Sequence, residues 1–162
     1  MNIFILDRDP EKCARYHCDK HVVKMVLESA QILCSVLHLR GEDAPYRPTH
    51  ISHPCVKWAN ASFSNFSWLV ELAIQLNEEY KFRYEKRVNH KSIEVVNLCA
   101  AYRFEDIGLT PFMQCMPDRY RFQNNPVRAY RAFYKGDKRS FAAWKRRGAP
   151  SWYPVNSENS EN

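Results

Sequence analysis

Five ionisable residues near the start of the chain could together move a proton and hold a negative charge. Histidine exchanges a proton near neutral pH, and lysine binds phosphate or neutralises a developing oxyanion. On a helix at about 100° per residue, four of the five fall within about 60° of one another, and the fifth lies one step aside. We call this set the His/Lys stripe; it consists of His17, Lys20, His21, Lys24 and Glu28.

The His/Lys stripe is compatible with two kinds of catalysis. In the first, His17 or His21 is the general acid or base, the two lysines clamp a phosphate, and Glu28 orients a neighbour. In the second, a lysine with a lowered pKa attacks a sugar C1′ atom and forms a Schiff base. The same pattern also fits an amphipathic helix whose polar side simply faces water.

Asp19 lies on the opposite side of the same helical wheel, at about 200° and within the apolar arc. A carboxylate that is buried without a partner costs several kcal/mol. The sequence therefore predicts that Asp19 accepts hydrogen bonds from an Arg, Tyr or Trp side chain or from the amides at a helix start. We include Asp19 among the anion-site candidates, although a purely structural role fits equally well.

A second group of basic residues lies on a proline-bounded loop that contains Arg47, His50 and His53. If this loop folds over the first helix, Arg47 and one of the histidines would complete an anion site. Together with His17 and His21, the two loop histidines could also form a four-histidine metal site. No CxxC pair and no nearby carboxylate pair supports a metal, so we predict neither a metal nor another cofactor.

Positive charge is concentrated in the last third of the chain. The net charge is +6, and residues 119–147 contain ten basic residues and one acidic residue. Basic and aromatic residues alternate there, as they do where phosphates are neutralised and bases stack on rings, although the aromatic spacing also fits a helix packed on a core. The predicted partner is a nucleic acid or a phosphorylated nucleotide. The candidates for binding it are Arg128, Arg131, Lys135 and Trp144.

The length of 162 residues and the 45% of apolar residues predict one mainly α-helical domain over residues 1–155, followed by a disordered tail over 156–162. Asn2–Leu6 is predicted to be a short β-strand. Asp9 is predicted to cap a helix that ends near Leu39. Further helices are predicted at 54–60, 62–87, 92–102, 126–135 and 140–147, with a long irregular loop at 103–125.

Several classes of protein are excluded by what the sequence lacks. No Walker A, GxGxxG, GxSxG or zinc-deaminase motif occurs, and no long apolar run or signal peptide indicates a membrane or secretion. The six cysteines lie mainly in apolar surroundings and are interpreted as small buried residues. A cytoplasmic location is expected, and the oligomeric state is left open.

Most of the chain resembles a family of short proteins encoded by tailed bacteriophages. The runs that carry the resemblance are YHCDKHVVKM, LESAQ, RPTHISHPCVKWA, LTPFMQCMPDRY, AYRAFY and WKRRGAPSWY. That family implies no settled activity, so no residue roles follow from it. It favours nucleic-acid metabolism, DNA modification or counter-defence against host nucleotide signals over central metabolism, and it implies the host cytoplasm.

Taken together, these patterns predict an enzyme that cleaves a phosphodiester or N-glycosidic bond in a nucleic acid or nucleotide. The catalytic candidates are the residues of the His/Lys stripe. Two alternatives remain: a phage protein that sequesters a nucleotide without catalysis, and a basic adaptor that binds DNA.

Overall fold

Within residues 1–155, the first long helical pattern folds as two helices, and four more follow. The computed structural model describes residues 1–155, so the predicted disordered tail at 156–162 lies outside the described residues. Within the described part, the prediction of a single, mainly α-helical domain is confirmed. Its helices are α1 (Pro10–Tyr16), α2 (Asp19–Leu39), α3 (Pro54–Ala61), α4 (Phe63–Arg83), α5 (Ile93–Cys99) and α6 (Pro126–Lys135), with a one-turn 3₁₀ helix at Asp118–Tyr120.

The break between α1 and α2 falls within the predicted His/Lys stripe. His17 and Cys18 have extended backbones, with ψ of 137° and 161°. The carbonyl of His17 accepts from Arg83 at 2.6 Å, and the amide of Asp19 donates to the carbonyl of Ala143 at 2.8 Å. Because these distant groups take the polar backbone atoms, the helix does not continue. The prediction of one helix from residue 9 to 39 is therefore wrong, and the stripe is not one continuous face.

The predicted β-strand at Asn2–Leu6 is also wrong. This segment lies in the core as irregular chain, and no strand occurs in residues 1–155 to pair with it. Side chains satisfy its backbone instead. The Cys13 thiol donates to the carbonyl of Phe4 at 3.1 Å and accepts from the amide of Leu6 at 3.4 Å.

Helix α2 is the centre of the domain, and it packs against α3, α4 and α5. By length and composition alone it could cross a membrane. Most of its apolar side chains are buried against the neighbouring helices, as expected for the central helix of a helical domain. Its exposed side carries Lys20, Lys24 and Leu27.

The other predicted ends of helices and loops are most accurate where the local sequence signals are strong. Helix α6 has the predicted bounds, and its cap is Asn125, whose side chain accepts from the amide of Arg128. Residues 103–125 lack regular structure apart from the 3₁₀ helix, as predicted. The predicted helix at 140–147 is wrong, because the amide of Lys145 donates to the Asp19 carboxylate at 2.9 Å instead of to a helical carbonyl.

Candidate active site around Glu28

Glu28 on α2 is a nearly buried carboxylate that three nitrogen atoms contact. Its Oε2 accepts from the backbone amide of Asn2 at 3.0 Å and lies 3.8 Å from the Met1 ammonium. Its Oε1 lies 3.3 Å from Nζ of Lys24, one turn earlier on the helix. The Glu28 side chain is 11% exposed, and the Lys24 side chain is 66% exposed. We call Met1, Asn2, Lys24 and Glu28 the Glu28 cluster.

The side chain of Asn2 fixes the start of the chain in this position. Its Nδ2 donates to the carbonyl of Cys115 at 2.8 Å, and its Oδ1 accepts from the buried hydroxyl of Tyr130 at 2.9 Å. Tyr130 in turn accepts from the amide of Cys115 at 3.1 Å. Because Asn2 is held on both sides, the neighbouring Met1 amine is placed beside Glu28 by the core of the protein.

The loop with the paired histidines approaches the Glu28 cluster. The pKa of His53 is lowered, first by burial and then by the positive charges of the chain terminus and His50, while the Glu28 charge acts in the opposite direction. His50 is exposed, and its Nδ1 lies 2.7 Å from Oγ1 of Thr49. Of the loop residues predicted to join the first long helical pattern, His53 therefore lies close enough to Glu28 for their charges to interact, whereas Arg47 is exposed.

His17 points into the core. Its Nδ1 donates to the carbonyl of Cys13 at 2.7 Å, which leaves Nε2 buried without a hydrogen-bond partner. Burial is the largest cause that lowers the pKa of His17 to about 4, and the nearby Arg83 charge acts in the same direction. His17 is therefore neutral at physiological pH, and its contacts are those of a structural side chain.

His21 is also buried and neutral. The Cys18 amide donates to the Tyr134 hydroxyl at 3.3 Å, and this hydroxyl donates to Nδ1 of His21 at 2.6 Å. The ring is stacked on Phe4, with 4.2 Å between centroids. Burial, followed by the charges of His17 and of nearby lysines, lowers the pKa of His21 to about 3.

The four histidines do not form a common metal site. In residues 1–155, the only group of three or more side chains with closely spaced metal-ligand atoms contains His53 but none of the other three. His17 and His21 are 6.4 Å apart between ring centroids and are held by the core contacts described above.

The lysines of the His/Lys stripe remain at the surface, where a third lysine joins them. Nζ of Lys20 lies 4.9 Å from the centroid of the Phe141 ring, and Nζ of Lys138 lies 5.9 Å from the same ring. Lys24 and Lys138 both lie close enough to His21 for their charges to lower its pKa. We call Lys20, Lys24 and Lys138 the lysine face; of the three, Lys24 contacts Glu28.

Three of the other candidates have contacts within the protein. Asp19 is paired with the buried Arg83 at 3.2 Å, as its predicted need for a partner requires. Arg131 donates to the carbonyl of Leu6 at 2.9 Å, and Nε1 of Trp144 donates to the carbonyl of Tyr16 at 2.9 Å. The contacts of Arg131 and Trp144 connect the C-terminal third to the chain start and to the end of α1.

The remaining candidates are exposed and are not brought to the Glu28 cluster by any contact described here. Arg128 lies over the Phe122 ring at 4.1 Å, and Lys135 is at the end of α6. Arg47 is exposed on its loop. They remain candidates for contacts with a large polyanion, outside the immediate surroundings of Glu28.

Sequence reasoning missed the residues at the chain start and on the irregular loop. Neither Met1 nor Asn2 belongs to a motif, and Cys115 is sixty positions from Cys55, which it contacts. The sequence shows that His53 and Cys55 are two positions apart. No spacing in the sequence indicates that Cys115 lies near them.

A cavity of about 330 Å³ lies elsewhere, lined by Arg8 and by residues of the irregular loop such as Thr110 and Gln114. Its lining contains no member of the Glu28 cluster. We therefore base the candidate site on the contacts of Glu28 and not on the position of this cavity.

Residues 1–92 match the sequence profile of one protein family, described as pyrimidine dimer DNA glycosylase. The chain belongs to this family. The matched range contains the whole Glu28 cluster together with Lys20 and His53, whereas Cys115, Tyr130 and Lys138 lie beyond it. No curated protein and no solved structure matches the chain.

Membership of the pyrimidine dimer DNA glycosylase family decides between the predicted bonds. A DNA glycosylase cleaves the N-glycosidic bond between a base and its deoxyribose, so the family is one of enzymes whose substrate is DNA. The predictions of an enzyme and of a nucleic-acid partner are confirmed at this level. The match does not confirm the unassigned phage family inferred from the resemblance.

Proposed function

We propose that this protein is a DNA glycosylase in which the Met1 amine is the nucleophile. In this proposal the Glu28 carboxylate relays protons to and from the amine. The observation that carries the proposal is the placement of the Met1 amine 3.8 Å from Glu28, beside the anchored Asn2. An amine and a carboxylate side by side are the two groups that imine chemistry at a sugar C1′ atom requires.

The Met1 amine is better suited to nucleophilic attack than Lys24. An amine attacks only when unprotonated, and α-amines as a class are less basic than lysine side chains. Lys24 is largely exposed, and its ammonium already pairs with Glu28. If Met1 were removed from the mature chain, the nitrogen of Asn2 would become the amine, and it already lies 3.0 Å from Glu28.

The reaction balances with these groups alone. The amine nitrogen forms a bond to C1′, and the bond from C1′ to the base nitrogen breaks with its electron pair leaving on the base. Of the three ammonium protons, one stays on the resulting iminium, one reaches the opened ring oxygen, and one goes to the departing base. Glu28 relays these protons, and its negative charge stabilises the cationic iminium. Water then hydrolyses the iminium and restores the amine.

The lysine face would hold the DNA backbone beside this amine. Lys24 contacts Glu28, and Lys20 and Lys138 share the Phe141 ring as a neighbour. Contacts of such lysines with phosphates position DNA without reading its sequence. The family description supports a DNA lesion, a pyrimidine dimer, as the substrate.

Reductive trapping tests the nucleophile. The full chain, with its first residue verified by intact mass, is incubated with a DNA duplex containing a pyrimidine dimer in the presence of borohydride. We expect a covalent protein–DNA adduct that peptide mapping locates at the α-amine. An added residue before Met1 displaces the amine by about 3.8 Å and should abolish trapping. Lys24→Arg, which keeps the charge but is a poor nucleophile, should still be trapped.

Other results would reassign or reject the mechanism. An adduct on Lys24, or trapping that survives the extension but not Lys24→Arg, would make the lysine the nucleophile. Tight binding with the DNA recovered intact from every lesion tried would leave a non-catalytic binder. The same extension placed after Val155 serves as a control, because it adds a residue far along the chain from the Glu28 cluster.

A further inference from the structure

Three side chains with the donor atoms that zinc prefers meet beside Asn2. One nitrogen of His53 and the sulfurs of Cys55 and Cys115 all lie within 4.8 Å of one another. The cysteines are free thiols, so both sulfurs are available. Histidine and cysteine are the usual ligands of zinc in proteins.

The distance between the two sulfurs is that of a tetrahedral zinc site. Two sulfurs at about 2.3 Å from zinc, with a tetrahedral angle between them, lie about 3.8 Å apart. Sγ of Cys55 and Sγ of Cys115 are 3.8 Å apart. A disulfide would require about 2 Å, so the observed spacing fits two ligands of one ion without rearrangement.

The hydrogen bonding of His53 leaves one ring nitrogen in a suitable state. Nδ1 of His53 accepts from the amide of Cys55 at 3.1 Å, so this nitrogen carries a lone pair and not a proton. An ion bound at this nitrogen would use the lone pair. It would replace the hydrogen bond that the Cys55 amide, in the first turn of α3, now donates. His53 and Cys55 therefore present two ligands from one short turn.

We propose that His53, Cys55 and Cys115 bind one Zn²⁺ ion, with the fourth position on the side of Asn2. Oδ1 of Asn2 lies 3.8 Å from Sγ of Cys55, so a ligand entering there would meet Asn2 first. Both thiols lose their protons to the solvent on binding, and two thiolates then balance the charge of the ion.

The ion would connect three separate parts of the chain. Cys115 lies on the irregular loop, His53 and Cys55 lie at the start of α3, and Asn2 donates to the carbonyl of Cys115 at 2.8 Å. Zinc would thereby fix the loop and, through Asn2, the chain start. Only this last consequence, the placement of the Met1 amine, rests on the proposed glycosylase mechanism.

Metal binding by the full-length, reduced protein tests the site without any activity assay. Zn²⁺ is titrated in competition with a chromophoric chelator, and Co²⁺ is titrated as an optical probe. We expect one ion per chain, a thiolate-to-cobalt charge-transfer band and the intense visible bands of a tetrahedral ion. Zn²⁺ should also raise the melting temperature, because it binds the folded state.

The chain offers a matched control for the variants. Cys34 and Cys99 form a second thiol pair, with sulfurs 3.9 Å apart, but no third ligand completes it within the described residues. Cys115→Ser and His53→Gln should lose the cobalt charge-transfer spectrum or its tetrahedral form and the zinc-dependent rise in melting temperature. Cys34→Ser should keep both.

The proposal is overturned if the reduced wild-type protein binds no Zn²⁺, or if Cys115→Ser binds it as tightly as the wild type. Circular dichroism of His53→Gln, which keeps both thiols, separates loss of the site from loss of the fold. Borohydride trapping is measured separately, so a metal-free protein that is trapped at its α-amine would reject the zinc site and leave the glycosylase proposal standing.

Discussion

The guanidinium of Arg83 donates to the carboxylate of Asp19 at 3.2 Å, across 64 positions of sequence, with the Arg83 side chain completely buried. Arg83 also donates to the carboxylate of Glu79 at 2.9 Å and to the carbonyl of His17 at 2.6 Å. The break between α1 and α2 is thus held by a charged residue near the end of α4. Asp19, the acidic residue that the helical wheel placed among apolar residues, therefore helps to hold the backbone break before α2. The position of this break determines which side of α2 is exposed.

Replacing Arg83 by Met should destabilise the protein strongly, because two buried carboxylates lose their shared partner. Breaking a buried ion pair in this way typically costs about 3–5 kcal/mol. Urea unfolding measures the loss. The control is Lys81→Met, which removes an exposed pair with Glu78 and should cost at most about 1 kcal/mol. Similar losses for the two variants would show that the Asp19–Arg83 contact is not what holds the break.

The need for this contact was predictable from the sequence, but its partner was not. The helical wheel placed Asp19 among apolar residues, and a buried carboxylate requires a donor. Nothing local indicates Arg83 or the amide of Lys145, because both arrive through tertiary packing. The same long-range contacts explain why the helix breaks at His17, which the helical wheel placed on one continuous face. They also explain why the predicted helix at 140–147 does not form.

Local signals were reliable wherever they were not opposed by such contacts. Helix α6 begins with the Asn125 cap and Pro126 and has the predicted bounds, because its capping and apolar spacing agree. For the candidate site, the sequence indicated Lys24 and Glu28 through their spacing on one helix. It gave no indication of Met1 or Asn2, which reach Glu28 by crossing the core as irregular chain.

Acid should destabilise the protein through its buried histidines. Burial lowers the pKa of His17 to about 4, below its ordinary value of 6.5. Between these values the unfolded chain binds a proton that the folded chain excludes, so stability falls as the pH falls from about 6.5 to 4. For His17 alone the loss is on the order of 3 kcal/mol. His21 adds to it with the same sign, because its pKa is also lowered.

Urea unfolding at a series of pH values measures this dependence. His17→Gln should flatten the curve between pH 6.5 and 4, since glutamine does not titrate, although the variant loses some stability at neutral pH. His50→Gln, at an exposed position, should follow the wild-type curve. A wild-type stability that stays constant through this range would contradict the assignment of neutral, buried histidines.

The lysine face should control the salt dependence of DNA binding. Each phosphate contact that is lost should reduce the slope of log K against log salt concentration by about 0.9 for duplex DNA. We expect this change for Lys20→Ala, Lys24→Ala and Lys138→Ala, measured by fluorescence anisotropy over a range of salt concentrations. Lys81→Ala, on α4 and paired with Glu78, is the control and should leave the slope unchanged. Equal slopes for all four variants would place the DNA elsewhere.

Glu28→Gln should separate the charge of the carboxylate from its structural contact. The amide oxygen of glutamine can still accept from the backbone of Asn2, so the chain start should stay in place and the melting temperature should change little. The negative charge that relays protons and stabilises the iminium is lost, and general acid–base catalysis of this kind typically contributes about 10²–10⁴-fold to the rate. Single-turnover cleavage of the N-glycosidic bond in dimer-containing DNA, followed as the formation of alkali-labile abasic sites, measures the loss.

The DNA affinity of Glu28→Gln separates a defect in catalysis from a defect in binding. Removing a negative charge next to the lysine face should leave DNA affinity unchanged or raise it, so a slow variant that binds normally assigns the defect to chemistry. Glu71→Gln, at an exposed carboxylate on α4 that accepts from the Gln75 side chain, should retain full activity. A Glu28→Gln variant that cleaves the N-glycosidic bond at the wild-type rate would remove Glu28 from the mechanism, whatever the trapping experiment finds for the amine.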